Sequence, residues 1–107
     1  VSNRPNAKFE YIEPVQLSLK PRRILLGHFT GTARNILERL LVERKNQPTP
    51  AKELYGELDF KEFWASIRVI ERVFDNIAPE LKLAMPLETG VGRHLQLWVV
   101  KQKDITI

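Results

Sequence analysis

Apolar positions recur every three or four residues between positions 59 and 77. At about 100° per residue, Phe60, Phe63, Ile67, Ile70, Phe74 and Ile77 fall on one arc of roughly 100°. Lys61, Ala65, Arg68 and Arg72 fall within about 60° on the other side. The spacing predicts one long helix with an apolar face packed on a core and a basic face turned outward. Asp59 and Glu62 have the spacing of a capping box, with Asp in place of Ser or Thr. Pro79 supplies the stop.

An earlier helix is expected from Thr30 or Thr32 to about Lys45, with Ala33, Ile36, Leu37, Leu40 and Leu41 as its buried stripe. Residues 46–48 break the chain. Thr49 before Pro50 reads as a capping hydroxyl followed by proline at the first helical position. A short second helix over about 50–55 follows, with Leu54 inward, Leu58 just past its end and Gly56 as its C-terminal stop.

Period-two patterns flank these helices. Residues 9–12 and 15–19 read as short strands separated by Pro14, the second because Val15, Leu17 and Leu19 alternate with Gln16 and Ser18. Residues 23–26 (RILL) read as a third strand closed by Gly27. Together they predict a small N-terminal sheet. After Pro79, Leu81, Leu83 and Met85 alternate with polar or small residues. Leu95, Leu97 and Val99 alternate with His94, Gln96, Trp98 and Val100. Gly90 and Gly92 lie between the two runs and permit a turn, so the C-terminus reads as a β-hairpin. Residues 1–7 read as a linker or frayed tail and 8–107 as a single domain.

The chain has 107 residues, 43% of them apolar and 28% charged, a balance typical of one globular domain. It has no cysteine, which removes disulfides and thiolate metal sites. No run approaches the ~20 apolar residues that span a bilayer, and no signal-peptide layout is visible. The expected setting is cytoplasmic, nucleoid-associated if the source is bacterial. Seventeen Lys and Arg against 13 Asp and Glu give a net charge of +4 and a pI near 9.6, a bias that favours polyanionic partners. The first residue is Val1 rather than Met, as expected of a processed protein or a fragment of a longer one.

Signals for catalysis are absent. His28 and His94, the two histidines, are far apart in sequence and have no metal-binding spacing. Residues 27–32 (GHFTGT) lack the Gly-Lys-Ser/Thr ending of a phosphate loop. No catalytic residue, metal ligand or cofactor is expected, and the chain does not read as an enzyme.

The order of helix, short helix, longer helix and hairpin resembles a winged helix-turn-helix domain over roughly residues 15–101. The closest variety is the C-terminal DNA-binding output domain of two-component response regulators. Those domains carry a small sheet before the first helix and a Gly-Val-Gly segment in the hairpin, where Thr89-Gly90-Val91-Gly92-Arg93 stands here. The fold class this implies is α+β, with three helices, a small N-terminal sheet and a C-terminal hairpin wing.

The resemblance implies that the third helix enters the major groove of double-stranded DNA. Lys61, Ala65, Arg68 and Arg72 would face the groove, with Ser66 as a secondary contact. Arg68 suits bidentate bonding to guanine, Arg72 a phosphate, and Ala65 a thymine methyl. Arg93 at the hairpin tip would meet the minor groove or backbone. Thr49 and the amides of the second helix, helped by Lys52, would meet phosphate. The implied role is sequence-specific transcriptional regulation, as a homodimer or beneath an upstream regulatory domain.

The residues also support other readings. Lys61, Arg68 and Arg72 form a plain solvated face if Glu71 and Asp75 pair with the arginines. Lys20, Arg22 and Arg23 read as a basic linker between strands. If Val69, Val73, Trp98 and Val100 are exposed, the scaffold serves instead as a protein-interaction module in a larger assembly.

Overall fold

The computed structural model describes residues 9–84, 88–89 and 92–102. The 1–7 tail, Met85 and the centre of the glycine turn lie outside the described residues. The architecture is α+β. Four helices pack on a small antiparallel sheet that joins an N-terminal strand to a C-terminal hairpin.

Strand β1 spans Phe9–Pro14. It does not pair within an N-terminal sheet. It pairs antiparallel with the last strand, β5 (Gly92–Gln102), from Phe9↔Gln102 to Pro14↔Trp98, with a bulge between Tyr11 and Glu13. Past Pro14 the Val15 amide still donates to Leu97 O at 2.9 Å.

The expected second and third strands are replaced by helix α1, Leu19–Leu26. Ser18 takes the extended backbone of a cap position. Pro21 falls in the first turn, where a missing N–H costs nothing. Leu25 and Leu26 are buried while Leu19 and Ile24 stay exposed. The Val-x-Leu-x-Leu alternation ends because the third leucine is not on a sheet face.

Helix α2, Gly31–Glu38, begins after Thr30 and continues as a π-helical turn over Arg39–Glu43. Ala33, Ile36, Leu37, Leu40 and Leu41 are all buried, as their spacing predicts. The wider turn closes with Arg44 N donating to Arg39 O. Lys45 and Asn46 then adopt positive φ, 52° and 57°, and the chain reverses into strand β2, Thr49–Pro50, paired with Leu95 and His94 of β5.

Helix α3 is a single turn, Ala51–Leu54, with Leu54 fully buried. The residue at its cap is Pro50, and no side chain caps it. Thr49 is not the cap expected from the sequence. Its backbone belongs to β2, its side chain is 1% exposed, and its hydroxyl donates to Gln47 O. Gly56, at φ 61°, stops the turn. The Arg39 guanidinium lies over it and donates to Leu54 O.

Helix α4, Phe60–Ile77, is the longest element. Its capping box is present, with Glu62 N donating to Asp59 Oδ1 at 2.8 Å and Asp59 N donating to Glu62 Oε1 at 3.5 Å. Phe63, Ile67, Ile70 and Phe74 are buried. Phe60 and Ile77, assigned to the same apolar arc, overhang the two ends of the core and are 63% and 39% exposed. Ring contacts of Phe63 with Tyr55 and of Phe74 with Phe29 tie α4 to the segments after α3 and α1.

The hairpin forms as expected. Strand β3, Leu81–Ala84, pairs with β5 from Leu81↔Val99 to Ala84↔Gln96, and the two-residue strand β4, Glu88–Thr89, pairs with Arg93 and Gly92. β1 and β3 overlap on Trp98 and Val99, so they flank opposite edges of β5. Val100 is buried, and Trp98 is half-buried against Tyr11. Neither offers the outer apolar face considered from the sequence.

Candidate nucleic-acid interface

The two-faced character of α4 follows from its packing. Burying Phe63, Ile67, Ile70 and Phe74 fixes the helix rotation and leaves Lys61, Ala65, Arg68 and Arg72 exposed. Ser66 is half-buried, and its hydroxyl donates back to Glu62 O at 3.0 Å. The capping box holds the start of this face, so Lys61 projects from an ordered first turn.

Charge pairing around α4 is not what sequence spacing suggests. Asp75, three residues after Arg72, bonds instead to Lys82 of β3. The Lys82 ammonium also lies 4.9 Å from the centre of the Phe9 ring. Lys82 thus ties together α4, β3 and β1. Glu71, three residues after Arg68, is partly desolvated. Burial pushes its carboxyl above the usual range, and the nearby Asp75 charge adds to this, while Lys82 and Arg68 pull it back. Among the described residues neither Arg68 nor Arg72 forms an ion pair within 4 Å. Both guanidiniums are exposed to solvent, where their planar donors can meet a ligand.

The other expected contacts are placed unevenly. Lys52 is exposed on α3. Thr49, expected to meet phosphate, is instead buried in β2 with its hydroxyl donating to Gln47 O, so it offers no surface donor there. Arg93 pairs through its backbone with Glu88, and its side chain lies outside the described residues. Lys20, Arg22 and Arg23 belong to α1 rather than to a linker between strands.

Sequence reasoning missed a groove beside α1. About 490 Å³ in volume, it lies between that helix, the end of α4 and the start of β3, with Ile24, Ile77 and Leu81 in its lining. Its lining comes from three separate elements, which no local spacing brings together. Among the described residues no group of three His, Asp or Glu side chains is placed to hold a metal ion. No helix among them is long and apolar enough to cross a membrane.

Comparison with protein-family models, with curated proteins and with solved structures returns no match.

Proposed function

We propose that this chain is a winged helix-turn-helix domain that binds double-stranded DNA sequence-specifically, as a transcriptional regulator or its output domain. The observation that carries the reading is the outward face of α4: three cations around an open alanine, with neither arginine in an ion pair within 4 Å among the described residues. The order α2, α3, α4 and hairpin supports it, as does the short connection over residues 55–59 with Gly56 at positive φ. On this reading α4 lies in the major groove. Arg68 bonds to guanine, Arg72 and Lys61 meet the backbone, Ala65 makes room for or touches a thymine methyl, and Ser66 assists. Lys52 neutralises a phosphate beside α3. Arg93 brings the hairpin to the minor groove or backbone.

The test is fluorescence anisotropy with random and genomic duplexes at about 50 and 200 mM salt, a range over which about four phosphate contacts lose ~10²-fold in affinity. Arg68→Ala with Arg72→Ala abolishes binding and leaves the melting curve in place. Absence of binding at the lower salt overturns the reading. It would favour a winged-helix protein-interaction module, for which Val69, 47% exposed on the flank of α4, is the available apolar contact.

A further inference from the structure

The groove between α1 and the end of α4 has an apolar floor of Leu17, Pro21, Ile24, Leu25, Ile77 and Leu81. Its polar lining is Lys20 and His28, and no carboxylate lines it. Ile24 is 60% exposed and Ile77 39% exposed. Ile24 and Ile77 thus leave aliphatic surface open to solvent beside the groove, which a contact would cover.

At the other end of α4 the converse feature stands out. Phe60 is 63% exposed, the highest value among large apolar side chains of the described residues. Its ring leans on Trp64, with centroids 6.2 Å apart. Around it in the chain are Glu57, Asp59 and Glu62, three carboxylates against the one cation Lys61, all exposed. Asp59 and Glu62 accept backbone N–H bonds at the helix start. The corner is therefore an aromatic knob in an acidic collar.

Knob and groove occupy opposite ends of one 18-residue helix, about 27 Å long. One molecule cannot bring them together. Two molecules can, with the Phe60 ring of one between Ile24 and Ile77 of the next and the acidic collar against the Lys20 side of the groove. The geometry points to head-to-tail self-association, a heterologous contact between two different surfaces of the same chain. Charge complementarity selects this occupant: the groove lacks acid, and the most exposed ring of the same molecule is surrounded by it. Such a contact is smaller than the ~1,200 Å² of stable complexes. Its expression is concentration-dependent association at about 100 µM and above. The inference does not depend on DNA contact and is tested without DNA.

Sedimentation equilibrium of the whole chain decides it. The weight-average mass of the wild type rises with concentration and falls back on going from about 50 mM to 500 mM salt. Phe60→Ser removes the knob and keeps the groove. Ile24→Ser removes the packing of the groove and keeps the knob. Each variant alone stays monomeric. An equimolar mixture forms a dimer and stops there, because the intact knob of Ile24→Ser fits the intact groove of Phe60→Ser and no further contact can add. Both positions are exposed, so circular dichroism and melting midpoints stay at wild-type values. Lys20→Glu, a substitution that involves no packing, weakens wild-type association at least threefold. A wild type that is monomeric at every concentration overturns the proposal. So does association by either single variant alone, or a mixture that stays monomeric.

Discussion

Asn46 makes three side-chain hydrogen bonds to backbone of two distant segments. It is 6% exposed and adopts φ 57°. Its amide nitrogen donates to Val15 O at 2.7 Å and to Leu97 O at 2.9 Å, and its amide oxygen accepts from Leu97 N at 2.8 Å. It sits where the pairing along β5 passes from β1 to β2 and stands in for backbone that neither strand supplies. Its own carbonyl accepts from Gln96 Nε2. Asn46→Ala leaves Leu97 N and Val15 O buried and unpaired, while Leu97 O keeps its bond from Val15 N. Each orphaned group costs about 1–3 kcal/mol, and a non-glycine residue without Asn's local bonding adds about 1 kcal/mol at this φ. The expected loss is about 3 kcal/mol or more, read as a lower urea midpoint at unchanged slope. Asn46→Gly removes the same bonds without the backbone penalty and falls about 1 kcal/mol short of the alanine variant. A midpoint for Asn46→Ala within experimental error of wild type would show that the ladder closes without the amide. The sequence marks position 46 as a chain break and nothing more, because its partner on β5 is 51 residues away.

At the level of elements, legibility follows the length and punctuation of each pattern. α2 and α4 are readable because their apolar stripes run for two turns or more and both begin and end on recognisable residues. α3 is placed by its flanking Pro50 and Gly56, although its cap is not the threonine that the pattern suggests. α1 is not readable. Eight residues are too few to define a period, the apolar run at residues 23–26 suits strand and helix alike, and burial of Leu25 and Leu26 decides the matter. The π-helical turn has no local signal either, since widening the helix at Arg39–Glu43 keeps Leu40 and Leu41 inward while the chain prepares to reverse. The capping box of α4 carries a prediction. Asp59→Ala removes the shorter of its two bonds and costs about 1 kcal/mol, which for a domain of this size lowers the melting midpoint by roughly 4–8 °C. Glu62→Ala breaks only the 3.5 Å bond and costs less. If the two variants melt alike, or Glu62→Ala melts lower, the asymmetry seen in the distances does not govern the cap. The face of α4 that carries Arg68 stays in register with the core in both variants, since four buried residues set its rotation.

For the molecule as a whole, net charge says less than its placement. Exposure of Lys61, Arg68 and Arg72 is legible from helical period alone, and the buried position of Thr49 is not, because it depends on pairing with Leu95. The charge network behind α4 is equally invisible to sequence spacing. Asp75 and Glu71 look like the partners of Arg72 and Arg68, yet in three dimensions Lys82 from β3 takes Asp75 and moderates Glu71. Glu71 then gives the domain a pH dependence whose sign is fixed. Its carboxyl titrates above the unfolded value chiefly because burial penalises the ionised form. Across the interval from the unfolded pKa up to the raised folded one, the native state holds more proton than the unfolded chain. Stability contributed by this group is present at low pH and is lost as pH rises through that interval. Glu71→Gln removes the ionised form, so the variant has a higher urea midpoint than wild type at pH 7, and the gap closes below the ordinary carboxylate range, where both side chains are neutral. The same change deletes a negative charge beside Arg68 without touching the guanidinium, so duplex affinity at low salt rises while salt dependence is retained. A lower midpoint at pH 7 would mean that attraction to Lys82 and Arg68 outweighs desolvation, and Glu71 would then belong to the ion-pair network that braces α4 against β3.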